Sequence, residues 1–318
     1  MMGPNTRTFL LVAGGVGALL AAASAVGWVL GRTVKSDAGR RTVDNLNARV
    51  RAWWVMAVIL GAALAAGTTC VIVLFGLISF LALREMITLT PTRRADHHTL
   101  FWAFFVMVPA QYALVYVGRY GIFSIFIPVY GFLFLAVRGT LTGDYKDYLR
   151  RTAEIQWGVM ICVYCLSHAP ALMKLDLRNY GPGGWRMLVF LVAVVQMSDV
   201  LQYVWGKLLG RHKIAPHISP NKTWEGFAGG VLSATALGTA LWWLTPFTPL
   251  QAAGMSLAIA LLGFFGGIVM SAIKRDAGVK DYGHLIEGHG GMMDRVDSLT
   301  FAAPVFFHVV KFFFVPPP

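Results

Sequence analysis

The chain has 318 residues, 57% of them hydrophobic and only 13% charged, with a formal net charge of +12. Apolar runs of roughly 18 residues or more exclude a water-soluble globule with one core and predict an all-α, polytopic integral membrane protein. The positive charge does not imply nucleic acid, because Lys and Arg cluster in segments beside apolar runs, where membrane topology and anionic lipid or phosphate ligands use them.

In chain order, apolar segments fall near residues 8–30, 53–83, 99–118, 120–137, 155–173, 186–206, 227–245, 250–273 and 299–315. They predict about nine or ten transmembrane helices. The first is expected to be an uncleaved anchor: Ala23, Ser24 and Ala25 offer a cleavage site, but the apolar stretch exceeds the ~7–15 residues of a signal peptide. Residues 31–52 read as a basic loop carrying Arg32, Lys35, Arg40, Arg41, Arg49 and Arg51. The other basic loops, 138–154, 207–225 and 274–297, are assigned to the cytoplasm, with the N-terminus outside. Keeping 31–52 on the same side requires segment 53–83 to break near Gly67, Thr68 and Thr69 into two passes of about 15 residues each, short of the usual ~17.

Three regions follow: 1–50, an N-terminal anchor and basic loop; 51–185, an N-terminal transmembrane region; and 186–318, a C-terminal catalytic transmembrane region. "GFAGG" at 226 and "GFFGG" at 263 supply Gly-x-x-x-Gly spacing, read as close helix packing. Cys70, Cys162 and Cys165 all lie in apolar segments, so no disulfide framework is implied. Cys162, Cys165 and His168 have metal-ligand types, but one membrane helix cannot surround zinc tetrahedrally, and apolar packing is the expectation.

The informative stretch is "SAIKRDAGVKDYGHLIEGHGGMMDRVD", residues 271–297, set between two apolar segments. It gathers Lys274, Arg275, Lys280 and Arg295 with Asp281, Asp294 and Asp297, the cations for phosphate oxygens and the hard carboxylates for magnesium that a metal-assisted phosphate reaction needs. Asp294 and Asp297, three apart, share a face if the last helix begins there, at its positive dipole end, where one ion could bridge them. Gly288, Gly290 and Gly291 flank His289 and allow backbone N–H groups close to a phosphate. By residue type alone, a solvated connection and a capped helix start account for the same stretch. Asp199 interrupts "MLVFLVAVVQMSDVLQYVW", where an ionisable group is costly and so has a partner or a task; Gln202 and Tyr203 share its helix face.

The order Ser271, Lys274-Arg275, Lys280-Asp281, His289-Gly290-Gly291, Asp294-Arg295, Asp297 resembles the signature of the phosphatidate cytidylyltransferases, or CDP-diacylglycerol synthases. A second block, "SDVLQYVWGKLLGRHKIAPHISPNKTWEG" from 198 to 226, is similar to that family's other hallmark, and "FLALREM" at 80–86 fits more loosely. The resemblance implies a CTP-dependent transfer to phosphatidate, releasing pyrophosphate and forming a CDP-linked lipid at the cytoplasmic side of the cell's inner membrane. It implies magnesium held by Asp294 and Asp297 with support from Asp199, and leaves a second monovalent or divalent cation open. Lys274, Arg275, Lys280 and Arg295 are implied as phosphate ligands, Asp281 as a further catalytic acid and His289 as a donor to the leaving group. Ser219, Lys222 and Thr223 are implied in nucleotide binding, although Thr223 also reads as a helix cap. The implied partners are CTP, an anionic lipid and the surrounding membrane lipids, with no nucleic acid and with a homodimer left open.

Two departures mark a divergent branch: Gly267 stands where many members have Asp and Met270 where Glu is common, and Gln202 replaces a small residue. A CTP-dependent polyprenol kinase and a transporter or scaffold using Asp199 as a coupling group are the alternatives. The first differs in products, CDP and a lipid phosphate, and the second has no use for the Lys-Arg to Asp297 spacing.

Overall fold

The computed structural model describes residues 4–34, 36–177, 183–283 and 290–316. Its helices are α1 (Pro4–Thr33), α2 (Asp37–Ala66), α3 (Thr68–Thr88), α4 (Arg94–Val117), α5 (Tyr120–Thr140), α6 (Tyr148–Lys174) and α7 (Gly184–Leu208). After a hairpin of β1 (Lys213–Ala215) and β2 (Ser219–Thr223) come α8 (Trp224–Ala240), α9 (Pro249–Asp276) and α10 (Met293–Phe314). Among the described residues nine of these helices are long and apolar enough to cross a membrane. The tenth, α8, has 17 residues, at the lower limit of about 17 for a span. The chain is an integral membrane protein of the expected class.

Local chemistry sets the boundaries. Ser36 caps α2 by accepting the Gly39 N–H at 3.3 Å. Gly118, in the left-handed conformation at φ 76°, closes α4, where a side chain would be strained. Thr248 and Gln251 form a capping box at α9, with Pro249 at its first turn. The π-helical stretches Ala103–Met107, Phe126–Gly131 and Met160–Cys165 lie at, or within about one turn before, Pro109, Pro128 and Pro170. A proline lacks the N–H and crowds the carbonyl four residues back, and the wider turn relieves that clash.

The break expected near residues 67–69 is present: Gly67, at φ 108°, separates α2 from α3. The short passes are not. Residues 31–52 were expected as a loop, but α1 continues to Thr33 and α2 begins at Asp37, so the passes have 30 and 21 residues. Arg32 lies in the last turn of α1, Lys35 falls outside the described residues, and Arg40, Arg41, Arg49 and Arg51 lie on the first half of α2, whose apolar half begins only at about Trp53. Long charged side chains lie along a helix without breaking it, which hydropathy alone does not register.

Contacts between loops place the ends of the helices. The end of α3 meets the start of α10 through Glu85 and Met293, Arg93 pairs with Asp144 and Asp147, and Arg275 donates to Ile218 O. The loops after α3, α5, α7 and α9 therefore share one face. Gly118, Lys174 and Lys311 line one cavity and mark the other. The core runs along α3, α6, α7 and α10, with Leu83, Leu166, Leu188, Phe190 and Phe306 fully buried and the Phe190 and Phe306 rings 5.9 Å apart. Helices α1 and α2 keep most of their surface exposed, as lipid-facing helices do.

Candidate active site

On the face shared by those loops, α7, β2, α9 and α10 bring together side chains from both sequence blocks. Asp199 of α7 accepts a hydrogen bond from the Ser298 side chain of α10, next to Asp297, and the Asp199 and Asp297 carboxylates interact with each other and with Lys222. Both acids are partly exposed. Asp297 Oδ1 accepts the Ser298 N–H at 2.7 Å and the Ser298 hydroxyl at 3.3 Å. Two like charges side by side repel unless a proton, an ammonium or a metal lies between them, and Lys222 supplies one such charge.

Lys222, on β2, donates to Phe264 O at 3.4 Å and stands 4.5 Å from the Phe264 ring centroid. Burial pushes its ammonium below the ordinary lysine range, against the opposing pull of Asp199 and Asp297. A Cβ at Gly267 would stand 2.9 Å from Lys222 Nζ and 3.6 Å from Ser298 Oγ. The glycine at the position of the missing carboxylate thus makes room for a lysine ammonium. The Gly-x-x-x-Gly of α8 does pack: a Cβ at Gly226 would lie 2.9 Å from Gly206 Cα, and one at Gly230 2.6 Å from Gln202 N. Gln202, expected beside Asp199, donates to Ser198 and lies against Gly230, and Tyr203 is exposed near Arg49 and Lys207.

Asp294 is held differently. Its Oδ1 accepts Lys274 Nζ at 2.7 Å, and its Oδ2 accepts the N–H groups of Tyr282 and Gly291, each at 2.9 Å. It thereby folds the α9–α10 loop onto the start of α10. Asp294 and Asp297 interact electrostatically, but among the described residues no group of three His, Cys, Asp or Glu converges as metal ligands. Arg275 is engaged with backbone oxygens, Ile218 O at 3.2 Å and Val279 O at 2.9 Å, tying the β1–β2 turn to the loop. Lys280 and Asp281 are exposed on that loop. Gln196 donates to Arg295 O at 3.2 Å. Ser219 lies on β2, paired with Ala215. Thr223 is buried and its hydroxyl accepts the Gly226 N–H at 3.1 Å, so it caps α8. His289 lies outside the described residues.

The cytidylyltransferase family model matches residues 47–313, which contain α3 to α9 and all of α10 except Phe314. The chain belongs to the cytidylyltransferase family. It is 40% identical over 273 residues to the uncharacterized protein YnbB of Escherichia coli (strain K12), covering 86% of this chain and 89% of that one. It is 31% identical over 221 residues to the phosphatidate cytidylyltransferase of Bacillus subtilis (strain 168), 67% of this chain and 77% of the relative. With the phosphatidate cytidylyltransferase of Mycobacterium leprae (strain TN) it shares 44% over 124 residues, 39% of each chain.

This cytidylyltransferase is therefore a membrane nucleotidyltransferase, and its fold adds a residue the sequence reading passed over. Glu85 accepts the N–H of Met292 on Oε1 and of Met293 on Oε2, both at 2.8 Å, and so caps α10 from α3. Gly291 fits because it lacks a Cβ, which would overlap Glu85 Oε2. Tyr282 closes the other side, donating its hydroxyl to Met270 O at 3.0 Å. An acid inside the apolar run "FLALREM" carries the same warning as Asp199 and was the available signal. Cys162 packs on Met86 and Met293, 3.9 and 3.7 Å between sulfurs, as expected of an apolar contact.

Proposed function

We propose that this cytidylyltransferase converts CTP and phosphatidate into CDP-diacylglycerol and pyrophosphate, working at the cytoplasmic face of the cell membrane. The observation that carries the reading is the meeting of Asp199, Asp297 and Lys222 from three separate elements at a partly open face between the two sequence blocks. The relatives named phosphatidate cytidylyltransferases supply the lipid substrate.

An oxygen of the lipid phosphate attacks the α-phosphorus of CTP. The new P–O bond forms as the bond from the α-phosphorus to the α–β bridging oxygen breaks, and pyrophosphate leaves with that electron pair. The nucleophile is already an anion, so no base is required. The obstacle is repulsion between two polyanions, and the site must lower it. Lys222 presents a poorly hydrated ammonium beside the acids. Lys274, Arg275, Lys280 and Arg295 add positive charge on the same face to draw in phosphate oxygens. Ser219 and the backbone of β2 position the nucleotide, and Thr223 keeps the β2–α8 junction in shape. His289 donates to the leaving group.

Asp199 and Asp297 fit a magnesium ion, with Asp294 alongside, because such ions take one or two carboxylates and keep waters and phosphates as their other ligands. Bound there, the ion would supply charge neutralisation for the phosphates of CTP. The arginines on the first half of α2 and the loops holding Arg93, Lys146 and Arg211 support a cytoplasmic catalytic face by the positive-inside rule.

The test is purified protein with labelled CTP, magnesium and phosphatidate. The expected products are a CDP-lipid and pyrophosphate in equal amounts. CDP with a lipid phosphate would replace this reading by a lipid kinase, and no labelled lipid from any acceptor would overturn it.

A further inference from the structure

Asp294 and Lys311 are separated by 17 residues of α10, about 26 Å of rise at ~1.5 Å per residue. That is close to the ~30 Å of a bilayer's hydrocarbon core, so Lys311 stands at the membrane face opposite the acid pair. A cavity of about 70 Å³ opens there, lined by Gly118, Tyr120, Phe123, Lys174, Phe307 and Lys311 among others. Its two ammonium groups come from the ends of different helices, α6 and α10. Among the described residues neither is ion-paired with a carboxylate. Lys311 Nζ lies 4.4 Å from the Tyr120 ring centroid, and Lys174 Nζ 5.4 Å from that of Tyr116.

We propose that this cavity binds the phosphate headgroup of an anionic phospholipid in the leaflet opposite the catalytic loops. Two cations converging on one cavity at an interface call for an anion, and the surrounding solvent offers it as a lipid phosphate. The Phe123 and Phe307 rings form an apolar wall suited to the glycerol backbone and upper acyl chain. Contact with the Tyr120 ring, itself packed on Phe307, holds the Lys311 ammonium in place before the ligand arrives, which lowers the ordering cost of binding. A lysine that merely reaches for headgroups needs neither a shared cavity nor a fixed ring. The site is independent of the catalytic reading, because it lies across the membrane from the acids and uses none of their residues.

The experiment is native mass spectrometry of the full chain in detergent, titrated with phosphatidylglycerol, phosphatidylcholine or inorganic phosphate. The variants are Lys174→Gln with Lys311→Gln, each alone, and the double Arg replacement. Wild type is expected to hold one more phosphatidylglycerol than the double Gln variant. At roughly fivefold per lysine, the affinity of that lipid should fall about 25-fold in the double variant. The Arg pair should restore it, and each single Gln variant should lie between, which covers a double variant that fails to fold. Equal phosphatidylglycerol retention by wild type and the Gln variants would overturn the proposal. So would equal binding of phosphatidylcholine, or of inorganic phosphate in place of lipid.

Discussion

Glu85 near the end of α3 accepts the backbone N–H of Met293, 208 residues further along the chain, at 2.8 Å. Helix starts leave unpaired N–H groups, and here a buried carboxylate from another helix satisfies two of them. Glu85→Ala should strip both partners, cost about 1–3 kcal/mol, and free the α9–α10 loop from α3. Limited proteolysis within 277–292 should accelerate and activity should fall, while Glu85→Gln, which keeps one acceptor oxygen, recovers part of both. Unchanged proteolysis of the Ala variant would remove Glu85 from the loop's support.

The two acids of α10 should respond differently to substitution. Asp297 lies within electrostatic reach of Asp199, Lys222 and Lys274, whereas Asp294 spends its oxygens on a direct Lys274 ion pair and on two backbone N–H groups. Asp297→Asn should reduce CDP-lipid formation at least about 100-fold, the scale of a lost electrostatic group at a reacting phosphate, with the melting temperature kept or raised because a like-charge contact is relieved. Asp294→Ala should lower activity and, through a stability loss of about 3 kcal/mol, the melting temperature, since the mostly buried Lys274 loses its direct ion pair. Side-by-side activity and thermal unfolding separate the two roles.

The class, the helix count and the costly acids within apolar runs could be read in the residues because each depends on local pattern. Apolar runs fix spans, and an acid such as Asp199 inside one is costly wherever it sits. What the sequence left hidden is pairing across long separation. Nothing local joins Glu85 to Met293, or tells that Asp294 pairs directly with Lys274 while Asp297 comes within electrostatic reach of Asp199 and Lys222. Residues 31–52 misled for a different reason: Arg40, Arg41, Arg49 and Arg51 lower hydropathy without lowering helix propensity, so a charged helical extension resembled a loop. Thr223 was legible both ways, as a cap and as a ligand, and its cap hydrogen bond is the part the fold displays.

Lys222 should set the alkaline limit of the reaction. Burial lowers its proton affinity, and the nearby Asp199 and Asp297 restore only part of it. The useful charge is present at lower pH and is lost as pH rises through a value below the ordinary ~10.4 of lysine. The pH profile of kcat/KM should therefore bend downward on the alkaline side before that value, and Lys222→Arg should move the bend upward while leaving the acid side in place. An identical alkaline limb in the Arg variant would assign the bend to another group.

Gly267 gives the most direct check on how that ammonium is placed. Its absent Cβ would stand 2.9 Å from Lys222 Nζ, a separation that real contacts do not show, so Gly267→Ala must push the ammonium aside. The obstructed atom is the tip of a flexible side chain, and the helix itself has room, so the melting temperature should hardly change. The displaced charge should weaken its hold on a phosphate by about 1.5–3 kcal/mol, the range for a charge-assisted hydrogen bond, or roughly 10–100-fold in kcat/KM. Gly267→Asp should act in the opposite sense on the lysine, pairing with it and drawing it from the Phe264 ring. The Asp variant should then require a different magnesium concentration for half-maximal activity, because a third carboxylate has joined Asp199 and Asp297 beside one ammonium. Wild-type activity in the Ala variant, with the fold intact, would show that Lys222 works from some other position.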